Sequence, residues 1–359
     1  MAILWMESFD YFGDDETKML DGLWAELFSI GSTSPPVLST TRCRTGARSL
    51  KFPSGPGVGS RNIARRVFGG AKTEVGVGMA LYLESLPTIN NSLCFLRFSD
   101  AANAEQISFY VQSTGVIAAY RGVTHLGSTP APAITAAAWN HVETKAVIHN
   151  ATGAIEVRVN EVTVLNLTGI DTVSTANVET SQFSMGALEG TTVSTDWWAD
   201  DMFVWDVVTV GDNDVNDFVG DKKVFTTFPD ADTAEADWTK SSGAVGYSLI
   251  DEATPDDADY ITTATDGSVS EFGLSDLPSN VAEIIAVQLT PRVLKTDAGS
   301  VLFSADIVSG AAATAADEIP ITTQGTYRPF VHTKDPVSAA PLTLAEFNAV
   351  KLRVTRPIP

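Results

Sequence analysis

The sequence is poor in the side chains from which most catalytic and metal centres are built. Its two cysteines, Cys43 and Cys94, stand about fifty positions apart and form neither a disulfide framework nor a zinc pattern, so two buried free thiols are expected. None of the four histidines, His125, His141, His149 and His332, has a Cys, His or carboxylate partner at a metal-ligand spacing. His141 and His149 share strand parity with Glu143 and Lys145 and are expected to be exposed on a polar face. There is no glycine-rich phosphate loop and no Gly-x-Ser-x-Gly elbow, which leaves nucleotide and serine-hydrolase chemistry without support. Basic residues are scarce as well: 23 Lys and Arg against 44 Asp and Glu give a formal charge of −21. A surface so acidic repels phosphate backbones and anionic lipids, so neither nucleic acid nor membrane is expected as a partner. No apolar run approaches the roughly 20 residues that span a bilayer. The opening "MAILWMESFD" lacks the basic region of a secretion signal, and a soluble protein made in the cytoplasm is expected.

What the sequence has is alternation at period two, which puts every second side chain on one face of a pleated strand. In "TEVGVGMALYL" the apolar set is Val75, Val77, Met79, Leu81 and Leu83, with Gly76, Gly78 and Ala80 between. The same pattern runs through Ile107, Phe109 and Val111, through Val142, Ala146 and Ile148, and through Ile155, Val157 and Val159. Helical periods are rare: "DDETKMLDGLWAEL" (14–27) has room for one short helix, and "TLAEF" (343–347) opens with Thr343 and Glu346 in capping-box spacing. The chain therefore reads as all-β, which must cover its sheet faces by stacking sheets or closing barrels. At 359 residues it is longer than a single core usually serves, so two β-sandwich domains are expected. The polar, acidic "VGDNDVNDFVGDKK" (210–223) marks the junction, with a first domain over 1–208, a linker over 209–222 and a second domain over 223–359. In the latter, Val301, Phe303, Ala305 and Ile307 alternate, as do Val350, Leu352 and Val354, while "PDADTAEADW" (229–238) and "SGAAATAAD" (309–317) read as surface loops.

"WWADDMFVWD" (197–206) is the densest aromatic and acidic stretch. As a regular strand it places Trp197, Ala199, Asp201, Phe203 and Trp205 on one face, with Trp198, Asp200, Met202, Val204 and Asp206 on the other. Asp200 and Asp201 would then point apart and could not flank one glycosidic bond, and a structural role as turn caps or backbone acceptors is expected for them. "DNDVND" offers Asp212, Asp214 and Asn216 as the start of a calcium loop, but Asp217 stands where such a loop needs Gly and Lys223 where it needs Glu. "TPDDADY" (254–260) reads as an acidic turn. Asn90, Asn150 and Asn166 open Asn-x-Ser/Thr triplets at about chance frequency. Trp24, Trp139, Trp197, Trp198, Trp205 and Trp238 would stack on sugar rings where exposed, although a β-core absorbs aromatics by default.

The order "ESFDYF", "TGARSLKF", "TEVGVGMALYL", "AWNHVETKAVIHNATGAIEVRVNEVTVL" and "WWADDMFVWD" resembles the concanavalin A-like, laminin-G-like jelly roll, with Trp139, Val157, Val159, Asn160, Asp200 and Asp201 at the matching positions. That family's hairpin usually turns on Asn-Gly; here Glu161 replaces the Gly, so the turn is strained or of another type. Residues 216–278 and 286–300 are similar to the C-terminal half of structural proteins from tailed bacteriophages. The two resemblances together imply a virion protein, a capsid decoration, head fibre or tail fibre or spike component, partnered by other virion proteins and assembled as a homo-oligomer such as a trimer. On this reading the chain is a structural protein and not an enzyme, with no catalytic, cofactor-binding or metal-ligating residue and no cofactor. The alternative is a carbohydrate-binding adhesin that recognises a host-surface glycan, the glycan being its partner.

Overall fold

The computed structural model describes residues 2–30, 34–55, 61–186, 195–207, 217–243, 245–314 and 318–358. They form two units, each with its own core. The first comprises residues 2–9, 24–207 and 217–224, and the second residues 10–23 and 225–358. This corrects the expected division in two places. Residues 10–23 belong to the second unit, and residues 217–224, expected as linker and domain start, are packed against the first.

The first unit has strands β1 (Ala2–Glu7), β2 (Glu26–Ile30), β3 (Val37–Ser39), β4 (Ser49–Phe52), β5 (Arg61–Lys72), β6 (Glu74–Leu83), β7 (Leu93–Ser99), β8 (Glu105–Val111), β9 (Ile117–Arg121), β10 (Thr124–Ser128), β11 (Trp139–Val147), β12 (Gly153–Val159), β13 (Val162–Ile170), β14 (Thr180–Gly186) and β15 (Trp197–Asp206). They build two antiparallel sheets. One runs β13-β12-β11-β6-β15-β4-β3, with β1 also on β15; the other runs β10-β9-β8-β7-β14-β5-β2. This is the expected all-β jelly-roll sandwich, in which each sheet buries one face against the other. Val75, Val77, Met79, Leu81 and Leu83 of β6 are all buried, and Trp5 of β1 meets Phe183 of β14 across the interior with ring centroids 6.3 Å apart.

Strand β15 is central, and its neighbour on one side changes midway. Trp197 to Ala199 pair with β4, whereas Met202 to Asp206 pair with β1. At the changeover three residue steps of β15, Asp200 to Phe203, span two of β6, Ala80 to Gly78. This is a β-bulge, and its extra residue, Asp201, has φ of 48°. The bulge inverts the facing expected for a regular strand: Trp198, Asp200, Phe203 and Trp205 lie opposite Tyr82, Ala80, Gly78 and Gly76, all on the outer face.

The second unit centres on a six-stranded antiparallel sheet, in the order Pro229–Ala236, Val269–Leu274, Lys351–Thr355, Leu302–Ser309 and Ala312–Ala313, with Ile319–Pro320 also on Leu302–Ser309. Its Phe272, Phe303 and Ile307 share one apolar cluster with Val287, Leu289 and Phe330 of a two-stranded ladder. The expected loop at 229–238 is instead largely an edge strand, where one open side relaxes the demand for apolar alternation. Thr343 and Glu346 form the expected capping box on the helix Leu344–Phe347. Over 14–27 no α-helix forms; a 3-10 turn spans Glu16–Leu20 and is followed by Gly22 at φ 100°, which ends the turn before Trp24.

Gly76 and Gly78 set the spacing on the outer face of the first unit. A Cβ on Gly78 would fall 2.2 Å from the Phe203 ring, and one on Gly76 2.1 Å from the Trp205 ring. Both aromatic rings therefore occupy the space over β6 that a side chain at Gly76 or Gly78 would need. Gly78→Ala is expected to cost about 1–3 kcal/mol in urea unfolding through overpacking. Gly69→Ala or Gly70→Ala on β5, where a Cβ meets nothing within 4 Å, serves as the control. Equal effects at Gly78 and Gly69 would show that the glycine floor carries no packing constraint.

Candidate functional site

The register of β11, β6 and β15 lays four rows across the outer face of the eight-stranded sheet. They are Trp139–Tyr82–Trp198, His141–Ala80–Asp200, Glu143–Gly78–Phe203 and Lys145–Gly76–Trp205. Aromatic side chains stand at both ends, and titratable ones lie between. At the first end Tyr82 packs edge-on against Trp139 and Trp198 at 5.5 and 5.6 Å, and the Arg42 guanidinium lies 4.6 Å above the Tyr82 ring. Trp139 is half-buried and is the accessible ring of this group. Of the other tryptophans considered for stacking, Trp24, Trp197, Trp198 and Trp205 are buried, and Trp238 is half-buried in the second unit.

The middle rows hold the polar cluster. Because of the bulge, the Asp200 and Asp201 carboxylates converge on one loop instead of pointing apart, which corrects the expectation from strand parity. Asp200 accepts the backbone N–H groups of Arg44 (2.7 Å), Asp201 (2.8 Å) and Thr45 (3.3 Å). Asp201 accepts the Arg44 guanidinium and the Thr45 hydroxyl, each at 3.0 Å. Burial, and then the Asp201 carboxylate beside it, push the Asp200 carboxyl up to about 8 in spite of its N–H donors. Burial also raises Asp201, against the hydrogen bonds and charge that hold it down.

His141 is 2% exposed, which corrects the expectation of an exposed ring; His149 is exposed as expected. The His141 imidazole stacks on Phe203 with centroids 5.9 Å apart, and burial lowers its pKa to about 4, so it is neutral. Its Nε2 is buried without a hydrogen-bond partner. Burial also pushes Glu143 up to about 7. Its two carboxylate oxygens accept the N–H groups of Val219 (2.7 Å) and Gly220 (3.0 Å), which belong to the segment 217–224 lying over this half of the face. His141 and Glu143 were legible as one strand face, but nothing local in the sequence signals that residues some 75 positions later would bury them.

The two-residue turn joining β12 and β13 explains the departure at Glu161. Asn160 and Glu161 have φ of 47° and 68°, the positive values of an Asn-Gly type turn. The turn type is kept, and Glu161 bears the strain that glycine would avoid. Its carboxylate accepts the Asp221 N–H at 3.1 Å. Elsewhere, Cys94 is buried, and burial raises its thiol pKa, whereas Cys43 is only half-buried, unlike the expected pair of buried thiols. Among the described residues no group of three or more His, Cys, Asp or Glu side chains is placed to hold a metal ion. Asp212, Asp214 and Asn216, considered for calcium, lie outside the described residues.

No family model and no curated protein matches this chain. Among solved structures it is similar to a sialidase (13% identity, TM-score 0.43, 57% of this chain and 18% of that one) and to the alginate lyase Aly36B (12%, 0.41, 57% and 98%). It is also similar to the carbohydrate-binding module CBM66 from Bacillus subtilis (9%, 0.30, 43% and 84%). The chain thus spans less than a fifth of the sialidase. Likenesses of this strength carry no argument about substrate. They do correct the expectation that the chain is not an enzyme, because the similar structures include a sialidase and an alginate lyase. The geometric ground for that expectation, Asp200 and Asp201 on opposite faces, fails at the bulge as well.

The raised Glu143 carboxyl has a pH signature of definite sign. An acid whose folded pKa is about 7, against roughly 4.5 when unfolded, contributes stability that is fully present below pH 4.5 and is lost as pH rises through 7. Glu143→Gln removes the titration, and His141 cancels in the comparison. From pH 5 to pH 8 the wild type is expected to lose about 3 kcal/mol relative to Glu143→Gln in urea unfolding. A gap that widens in the wild type's favour at pH 8 would contradict the assignment.

Proposed function

We propose that the first unit binds carbohydrate, with the sugar rings laid along the outer face of the eight-stranded sheet. The observation that carries this reading is the four-row ladder, with aromatic residues at both ends and a neutral imidazole and carboxyl groups between. Rows two residues apart along a strand give the ladder a length of about 20 Å, room for a short oligosaccharide. Sugar rings present apolar C–H faces to aromatic side chains and hydroxyl groups to carboxylates and imidazole, which matches this alternation. Trp139, the half-buried ring at the open end, is where the chain would first engage.

A second reading, a virion component assembled as a homo-oligomer, rests on the resemblance of residues 216–278 and 286–300 to tailed-phage structural proteins. Mass spectrometry of purified particles tests it, and particles without this polypeptide would remove it.

For the carbohydrate reading, a polysaccharide and oligosaccharide panel is expected to yield at least one binder, with affinity about tenfold lower in Trp139→Ala, a loss of about 1.4 kcal/mol. The Trp139→Ala protein should keep the wild-type far-ultraviolet circular dichroism. Binding that is indifferent to Trp139 would remove this face from the reading.

A further inference from the structure

Residues 217–224 are held to the sheet through side-chain carboxylates. The N–H groups of Val219, Gly220, Asp221 and Val224 are all donated to side-chain carboxylates: to Glu143 Oε1 and Oε2, to Glu161, and to Asp201 at 2.8 Å. Arg44 reaches the Lys222 carbonyl at 3.1 Å and pairs with the Asp221 carboxylate. The Phe218 ring stands edge-on to Trp205 with centroids 5.8 Å apart, and the Arg158 guanidinium lies over the Phe218 ring, 3.8 Å from its centroid. The ladders of the eight-stranded sheet are complete without this segment.

Two positions keep the segment in place at a conformational cost or constraint. Glu161 sits at φ 68° in a turn that glycine fits without strain, and its carboxylate meets the segment. Gly220 has φ 82°, and a Cβ there would lie 2.9 Å from Glu161 Oε1. Meanwhile His141 Nε2, on the same face, is buried without a hydrogen-bond partner.

We propose that residues 218–221 occupy a sugar subsite of the first unit as a tethered stand-in, and that carbohydrate binding there displaces them. This rests on the carbohydrate reading above and adds to it the subsite and its control. The correspondence is chemical. Two adjacent N–H donors on the two oxygens of Glu143 take the place of two neighbouring hydroxyl groups of one sugar ring, and the Phe218 ring against Trp205 takes the place of the ring's apolar face. The hydroxyl-rich ligand would also meet His141 Nε2. Because the segment and the ligand compete for one face, the measured affinity is the intrinsic affinity reduced by the fraction of molecules in which the face is open.

The test uses the full chain, its Glu161→Gly and Phe218→Ala variants, and a panel of soluble β-glucan, xylan, chitin oligosaccharides, polygalacturonate and alginate. Glu161→Gly loosens the segment while giving the turn its preferred residue, so it is expected to fold; Phe218→Ala removes the ring on Trp205. Both variants should bind the active polymer about three- to tenfold more tightly than the wild type. In the wild type, saturating polymer should speed hydrogen exchange in the peptide covering 217–224. Variants that bind the polymer no more tightly, or a peptide that stays protected under saturating polymer, overturn the proposal while leaving the carbohydrate reading intact if binding still depends on Trp139. Failure of every polymer to bind all three proteins overturns the carbohydrate reading, and the proposal with it.

Discussion

The Arg44 guanidinium and the two aspartates it serves hold the first unit's central strand to its surroundings. Strand β15 changes neighbour at Asp200 and Asp201, and at that point no strand supplies backbone partners on that side. The carboxylates fill the gap by accepting the Arg44 and Thr45 backbone N–H groups, the guanidinium and the Thr45 hydroxyl. Both aspartates are fully buried, so removing the guanidinium would leave charge without a counterpart, a change that typically costs several kcal/mol. One guanidinium cannot neutralise two buried carboxylates. Burial is the main reason that Asp200 is pushed up to about 8, and the Asp201 carboxylate beside it adds to the shift.

The same bulge shapes the outer face. By adding one residue it turns Phe203 and Trp205 outward over Gly78 and Gly76, beside Glu143 and Lys145 of β11. Without it, strand parity would turn those rings toward the interior. The face thereby becomes aromatic at both ends, and its middle is dry because residues 217–224 lie over it. Dryness in turn explains the opposite shifts of two neighbours on one strand, since burial disfavours the charged form of each: His141 falls to about 4 and Glu143 rises to about 7.

Much of this was legible in residue order. The period-two runs of β6, β8, β11 and β12 announced strands and their buried sides, and Thr343 with Glu346 announced a helix start. Each of these is a local signal, set by side-chain direction within a few residues. The departure of Glu161 from the Asn-Gly pattern was visible too, although its use was not. It bears backbone strain because its carboxylate meets an N–H sixty positions away. The strand at 229–236 was hidden because an edge strand with one open side does not need alternation.

By itself the sequence determined that the chain is all-β, that strands such as β6 turn an apolar face into the sandwich, and that the protein is strongly acidic, because alternation and charge are properties of composition and spacing. Only the tertiary structure decided which way the aspartates point, which aromatic rings share a face, and that His141 and Glu143 are dry. Each of those depends on one inserted residue in a ladder or on a contact between distant segments, and neither leaves a periodic trace in the order of residues.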